Sequence, residues 1–350
     1  MNINFIPFLV SALSCILAVN ITSYFALKIG LVDVPNYRKI HTGNIPLVGG
    51  ISMFVALVIG LLTTQIDIIP LKNILLAMLV VLVVGALDDH KDLSVRFRIF
   101  FHIVAALILV STNGVILSSL GWIFGIVEFK LYSWSVFVSV FAIIGVMNAV
   151  NMSDGIDGLS GLLSIVTLSF ISYFAYIGGR EDLFTLALLS CSTLVPFLMF
   201  NLGIFGRSRK VFMGDAGTTF IGLLIAVLLI ELSQGSQGEK AIFKPVTALW
   251  LLAVPLLDTV AVMIKRIRNG GSPFKPDRGH LHHFFLKSSI SEGKTLLIIV
   301  GLSFSMAFIG SWLELNNVAE WKMFALFLFV FFLYLLATFH AWKVVKFFKS

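Results

Sequence analysis

The feature that most constrains this chain is its succession of long apolar runs. A helix needs about 20 mostly apolar residues to cross the hydrocarbon core of a bilayer. Eleven stretches approach that length, at 5–27, 45–64, 69–87, 98–117, 132–150, 159–177, 182–200, 216–232, 246–264, 295–313 and 321–342. Helices satisfy their own backbone polar groups in lipid. The expected fold is therefore all-α, a polytopic integral membrane protein of about eleven transmembrane helices in a single domain, 1–350. Composition agrees: 58% of the residues are hydrophobic and 12% charged, against about 25% charged in an ordinary soluble domain. The first run is too long for a signal-peptide core and lacks leading basic residues, so it reads as an uncleaved span. Cys15 and Cys191 both fall inside apolar runs, with no disulfide or metal signal.

Basic residues set the orientation. The segments 28–44, 88–98, 201–215, 265–294 and the C-terminal tail hold 19 of the 25 Lys and Arg residues. The positive-inside rule then puts the N-terminus outside and the C-terminus in the cytoplasm, in a multi-pass arrangement. The net charge of +7 is thus largely topological. It is no signal for nucleic acid, and part of it suits anionic membrane lipids or phosphorylated substrates.

This orientation gathers acids on the cytoplasmic side, where ionisable groups near a membrane usually have a function. Asp88 and Asp89 stand at the C-terminal end of a predicted span, facing the negative end of its dipole. On a continuing helix Asp88 and Asp92 would share a face. A cation must offset them, either a metal ion or neighbouring bases; the alternative is a solvated loop end balanced by Lys91 and Arg96. The run Asn148-Ala-Val-Asn151-Met-Ser-Asp154-Gly-Ile-Asp157-Gly158 alternates amides and carboxylates with glycines. One helix cap does not need four such residues, and the oxygen spacing of a calcium loop is absent. Phe212-Met-Gly-Asp215-Ala-Gly repeats the pattern, although capping by Asp215 alone would explain it. Arg278 with His280, His282 and His283 suits phosphate better than zinc, because arginine presents paired donors and no cysteine stands nearby. Lys39 and His41 precede Gly49 and Gly50, for which helix packing is the better reading.

In this order, Leu-Asp88-Asp89, the Asn151/Asp154/Asp157 run, Met-Gly-Asp215-Ala-Gly and Pro-Asp-Arg278-x-His280-x-His282-His283 resemble the polyprenyl-phosphate N-acetylhexosamine-1-phosphate transferases. Supporting stretches, among them Gly30-Leu-Val-Asp33 and Pro245-Val-Thr-Ala-Leu-Trp250, extend the likeness over nearly the whole chain. The resemblance implies transfer of GlcNAc-1-phosphate from UDP-GlcNAc to undecaprenyl phosphate, releasing UMP and priming a surface polysaccharide of O-antigen or common-antigen type. Another UDP-HexNAc is the alternative donor. It implies Mg²⁺, with Mn²⁺ as a substitute, held by Asn151 and Asp215. Asp157 and Phe212 would form the uracil pocket. Arg278, His280, His282 and His283, with Lys39 and His41, would face the diphosphate and sugar. Asp88, Asp89 and Asp154 would be catalytic, the first two as organisers of metal and lipid phosphate before general base or covalent nucleophile. A homodimer is compatible with the family. The rival class is an acid-coupled secondary transporter, which needs acids near the midplane; only Asp258 and Glu231 fall within a run.

Overall fold

The computed structural model describes residues 4–35, 43–235, 240–272 and 279–339. Helices α1 (Ile6–Ile29), α2 (Gly49–Leu62), α3 (Lys72–Lys91), α4 (Val95–Thr112), α5 (Ser135–Met152), α6 (Leu159–Ile177) and α7 (Glu181–Asn201) come first. They are followed by α8 (Gly214–Gln234), α9 (Pro245–Leu251), α10 (Ala253–Arg268), α11 (Leu281–Lys287), α12 (Glu292–Leu315) and α13 (Glu320–Phe339). Among the described residues nine helices are long and apolar enough to cross a membrane, or ten when the bent pair α9–α10 counts as one span. The chain is thus a polytopic all-α membrane protein.

Two of the eleven expected spans take a different form. Ile45–Pro46 (β2) pairs antiparallel with Val32–Asp33 (β1), so the second helix starts only at Gly49. Its 14 residues rise about 21 Å, short of the roughly 30 Å hydrocarbon core. The run 246–264 breaks into α9 and α10, which meet at 84°. Pro255 accounts for the break: it has no N–H to offer, and its ring would press on the carbonyl four residues back, at Leu251, where α9 ends.

The apolar stretch of α8 is buried along its whole length, as expected of a helix that is hydrophobic all round. Helices α2, α3 and α5 pack directly on it. Lipid tails are as apolar as leucine, so helices associate through close packing at small residues. A Cβ on Gly50 would lie 2.3 Å from the Gly217 nitrogen, and one on Gly85 would lie 2.5 Å from Ala216. The packing role read for Gly50 therefore holds. These contacts bring the start of α2, the end of α3 and the start of α8 together at one end of the bundle. Cys15 and Cys191 are buried and unbridged.

Candidate active site

At that end α3 stops because Asp92 turns left-handed, at φ 51°, so Asp88 and Asp92 do not continue on one helical face. Asp88 is buried. Its Oδ1 accepts the Leu93 N–H at 2.7 Å and its Oδ2 accepts Arg98 Nη1 at 2.6 Å. Asp89 accepts the N–H groups of Asp215 at 2.8 Å and Ala216 at 3.2 Å. A carboxylate disfavoured at the end of its own helix thus meets the positive end of α8. Gly214 permits this approach: its φ is +71°, and a Cβ there would lie 2.4 Å from Asp89 Oδ2. The reading of a solvated loop end balanced by Lys91 and Arg96 is corrected, because Arg98 is the partner and Arg96 is exposed.

Arg98 Nη1 also lies 3.0 Å from Asp215 Oδ2. Asn151 Nδ2 donates to Asp215 Oδ1 at 3.2 Å, bringing the two expected metal ligands together. Asn148 donates to the Ile144 carbonyl of its own helix. Asp215 does not cap α8, since it lies within the first turn and Asp89 meets the free N–H groups. The donor set of Asp88, Asp215 and Asn151 is all oxygen, the type preferred by hard divalent cations, once the interchangeable Asn151 amide is turned. Among the described residues no three His, Cys, Asp or Glu side chains form a metal-holding group. A hard divalent cation held by one or two carboxylates would complete its shell with substrate phosphates and water.

Beside this cluster Lys210 Nζ donates to Asp157 Oδ2 at 2.5 Å and stands 5.1 Å from the centre of the Phe212 ring. Buried Asn201 accepts the Gly158 N–H at 2.7 Å and donates to the Val211 carbonyl at 2.9 Å, tying the two loops together. The Phe212 N–H donates to the Pro46 carbonyl, at 2.9 Å, and the Gly49 N–H to the Phe212 carbonyl, at 3.0 Å. Asp157 and Phe212 therefore stand together on a cross-linked base. Desolvation in the crowded cleft, then the charges of Asp215 and Asp157, push the Asp154 carboxyl up to about 7. The residue is exposed, so solvent screening moderates that rise.

The histidine segment packs on the same loop. A Cβ on Gly155 would lie 2.1 Å from the His282 ring, which is buried and stacked parallel to His280 at 5.9 Å between centres. Burial, then the neighbouring His283 and His280, lower His282 to about 3. Burial thus favours the neutral form of that imidazole, which can meet a phosphate as a hydrogen-bond donor. Its Nε2 has no hydrogen-bond partner among the described residues. The His283 ring lies 4.1 Å from that of His282. His280 Nδ1 lies 2.8 Å from Asp258 Oδ2. Lys39, His41 and Arg278 lie outside the described residues.

Residues 71–233 match glycosyl transferase family 4. The undecaprenyl-phosphate alpha-N-acetylglucosaminyl 1-phosphate transferase of Yersinia pestis is 41% identical over 325 residues, covering 93% of this chain and 88% of that protein. The protein of that name from Escherichia coli K12 is 40% identical over 328 residues, with the same coverage. That from Haemophilus influenzae is 39% identical over 320 residues, 91% of this chain and 89% of its own length. The chain belongs to glycosyl transferase family 4. Within this family 4 site, Arg98, Lys210 and Asn201 are residues that sequence reasoning missed. Arg98 left one signal: a cation in the first turn of a helix faces the positive end of the dipole, a placement that calls for an acid from elsewhere. Asn201 opens the stretch Asn201-Leu-Gly-Ile-x-Gly-Arg207 that supports the resemblance, but its tie between loops is not written there. Lys210 left no signal, because its partner is set by a contact between loops.

Proposed function

We propose that this chain transfers GlcNAc-1-phosphate from UDP-GlcNAc to undecaprenyl phosphate, forming GlcNAc-diphospho-undecaprenol and UMP. The observation that carries the proposal is the meeting of Asp88, Asp89, Asn151 and Asp215 around Arg98, beside the Asp157–Lys210–Phe212 group, in a chain about 40% identical to transferases of that name. A lipid phosphate oxygen attacks the β-phosphorus, the bond from that phosphorus to the α–β bridging oxygen breaks, and UMP leaves with the electron pair. Both reactants are anions, so positioning and charge neutralisation dominate the catalysis. A divalent cation, Mg²⁺ or in its place Mn²⁺, would be held by Asn151 and Asp215 and would neutralise the diphosphate. Phe212 offers a face for uracil, and Asp157 an acceptor for its N–H once Lys210 yields. Arg278, His280, His283, Lys39 and His41 belong to the diphosphate and sugar side.

Asp88 and Asp89 act as organisers in this reading. Arg98 and a backbone N–H engage both oxygens of Asp88, and two N–H groups engage Asp89. A phosphate monoester, with a second pKa near 6, is largely dianionic at neutral pH and needs no base. The basic-residue asymmetry supports a cytoplasmic site, with the N-terminus outside. Transport by proton coupling is disfavoured, because Asp258 is tied to three donors and Glu231 lies 3.9 Å from Arg180. Purified protein given undecaprenyl phosphate, Mg²⁺ and labelled UDP-GlcNAc should release UMP and form a labelled lipid. Absence of product with every UDP-HexNAc would overturn the proposal, and competition among those donors settles the sugar.

A further inference from the structure

Asp258 belongs to none of the motifs above, yet it is buried and both of its oxygens are engaged. Oδ2 lies 2.8 Å from His280 Nδ1. Oδ1 accepts the Leu281 N–H at 2.9 Å and the Tyr334 hydroxyl at 2.7 Å. Two of these groups, His280 and Leu281, are neighbours at the start of α11, and the third comes from α13. Asp258 is ten residues before the end of α10, about 15 Å along its axis. His280 therefore stands beside α10, well back from the end of that helix.

The chemistry of the pair fixes more than position. An ionised carboxylate can only accept hydrogen bonds, so the imidazole nitrogen facing it carries the proton. With Nδ1 committed to Asp258, Nε2 is the ring atom left to meet a ligand. Partners of this kind set both the tautomer and the ring orientation of a functional histidine. Leu281 N–H and Tyr334 O–H hold the carboxylate itself, so it cannot swing away from the ring. His280 stacks on His282, which in turn packs on Gly155 in the loop that carries Asp154 and Asp157. An imidazole aimed by Asp258 is thus part of the wall of the proposed donor site.

We propose that Asp258 is a positioning residue that locks His280 with its proton on Nδ1 and its Nε2 presented to the donor diphosphate, with Tyr334 holding the carboxylate in place. The inference rests on the transferase reading for its ligand, but not for the tautomer. Asp258→Asn keeps the size of the side chain and allows an N–H to face Nδ1, which drives the ring proton to Nε2. Tyr334→Phe removes one of the three donors and leaves the carboxylate.

Two measurements on the purified full chain test it. Nitrogen-15 spectra of histidine-labelled protein, with the His280 signal identified by its loss in His280→Gln, should show the proton on Nδ1. In Asp258→Asn it should move to Nε2. A tautomer that the substitution leaves unmoved overturns the proposal, whether or not the chain is a transferase. In the transfer assay Asp258→Asn should cost about 10–100-fold in kcat/KM, the usual scale for losing a partner that orients a functional histidine. Tyr334→Phe should cost less. In a His280→Gln background Asp258→Asn should cost less than about twofold more, because residues that act as a unit are not additive. An equal cost in both backgrounds would assign Asp258 to folding alone and overturn the proposal. If wild type makes no product, the transferase reading fails by itself, and the spectra still decide the tautomer.

Discussion

Replacing Arg98 tests how the site balances its own charge. Asp88 is buried, with a side chain 5% exposed, and Arg98 supplies one of its two donors, at 2.6 Å. Arg98→Met keeps much of the aliphatic stem and removes the charge, leaving Asp88 Oδ2 without a partner. Removing one member of a fully buried pair costs about 3–5 kcal/mol. Here Arg98 and Asp215 are each 31% exposed, so water replaces part of the loss and the expected cost falls to about 1–2 kcal/mol. For a chain of this size that is a drop in melting temperature of about 1–3 °C. Activity should fall further, by about 10²–10³-fold, the scale for losing one donor that stabilises developing charge. The control is Arg96→Met, two residues earlier and exposed, which should change stability by less than about 0.5 kcal/mol. Thermal denaturation in detergent and the UMP-release assay read both variants. Equal effects from the two substitutions would refute the assignment, because a generic basic surface makes no distinction between them.

Other expectations follow from single contacts. Asp88→Asn should lose most activity and recover none of it between pH 7 and 9, since the acceptor phosphate is already ionised; recovery at high pH would make Asp88 a base. Asp157→Ala and Phe212→Ala should raise KM for UDP-GlcNAc more than they lower kcat, measured at saturating lipid acceptor. Asp154 carries a folded-state pKa raised above 3.8, moderated by its exposure, so its charged form opposes folding and stability falls as pH rises above about 4. In chelator, Asp154→Asn should therefore raise the melting temperature more at pH 8 than at pH 5, and added Mg²⁺ should shrink that gain. A Gly155→Ala variant should lose activity with little change in expression, because its Cβ would meet the His282 ring at 2.1 Å.

The spans and acidic motifs were legible because each is written in consecutive residues. A run of apolar side chains declares a membrane helix, and Asp or Asn beside Gly at a helix end declares a site whether or not its partners are known. What escaped was pairing at a distance. Arg98 meets Asp215 across 117 positions, and nothing local to either residue names the other. The short α2 escaped for the same reason, since the Ile45–Pro46 strand exists only through its pairing with Val32–Asp33. The bend before α10 was nearer to being readable, because Pro255 sits within the expected span. The neutrality of His282 was not, because it depends on burial against a loop more than a hundred residues away in sequence.

The charges of the site bear on how it receives its substrates. Five carboxylates, Asp88, Asp89, Asp154, Asp157 and Asp215, stand together, and among the described residues two cations, Arg98 and Lys210, form ion pairs with them. Among the described residues the carboxylates outnumber those cations, and crowding favours the protonated form of Asp154, in a place proposed to receive two anionic substrates. Carboxylates alone would repel both. They would make sense as a receptor for a divalent cation, with Asn151 and Asp215 holding it and the cation neutralising the donor diphosphate. Arg98 would then be free to face phosphate rather than acid, and the lipid phosphate would meet a less negative site. The acids that make the motifs recognisable would thus serve the reaction indirectly, by making the site unable to stay empty of a cation when the sugar nucleotide is bound.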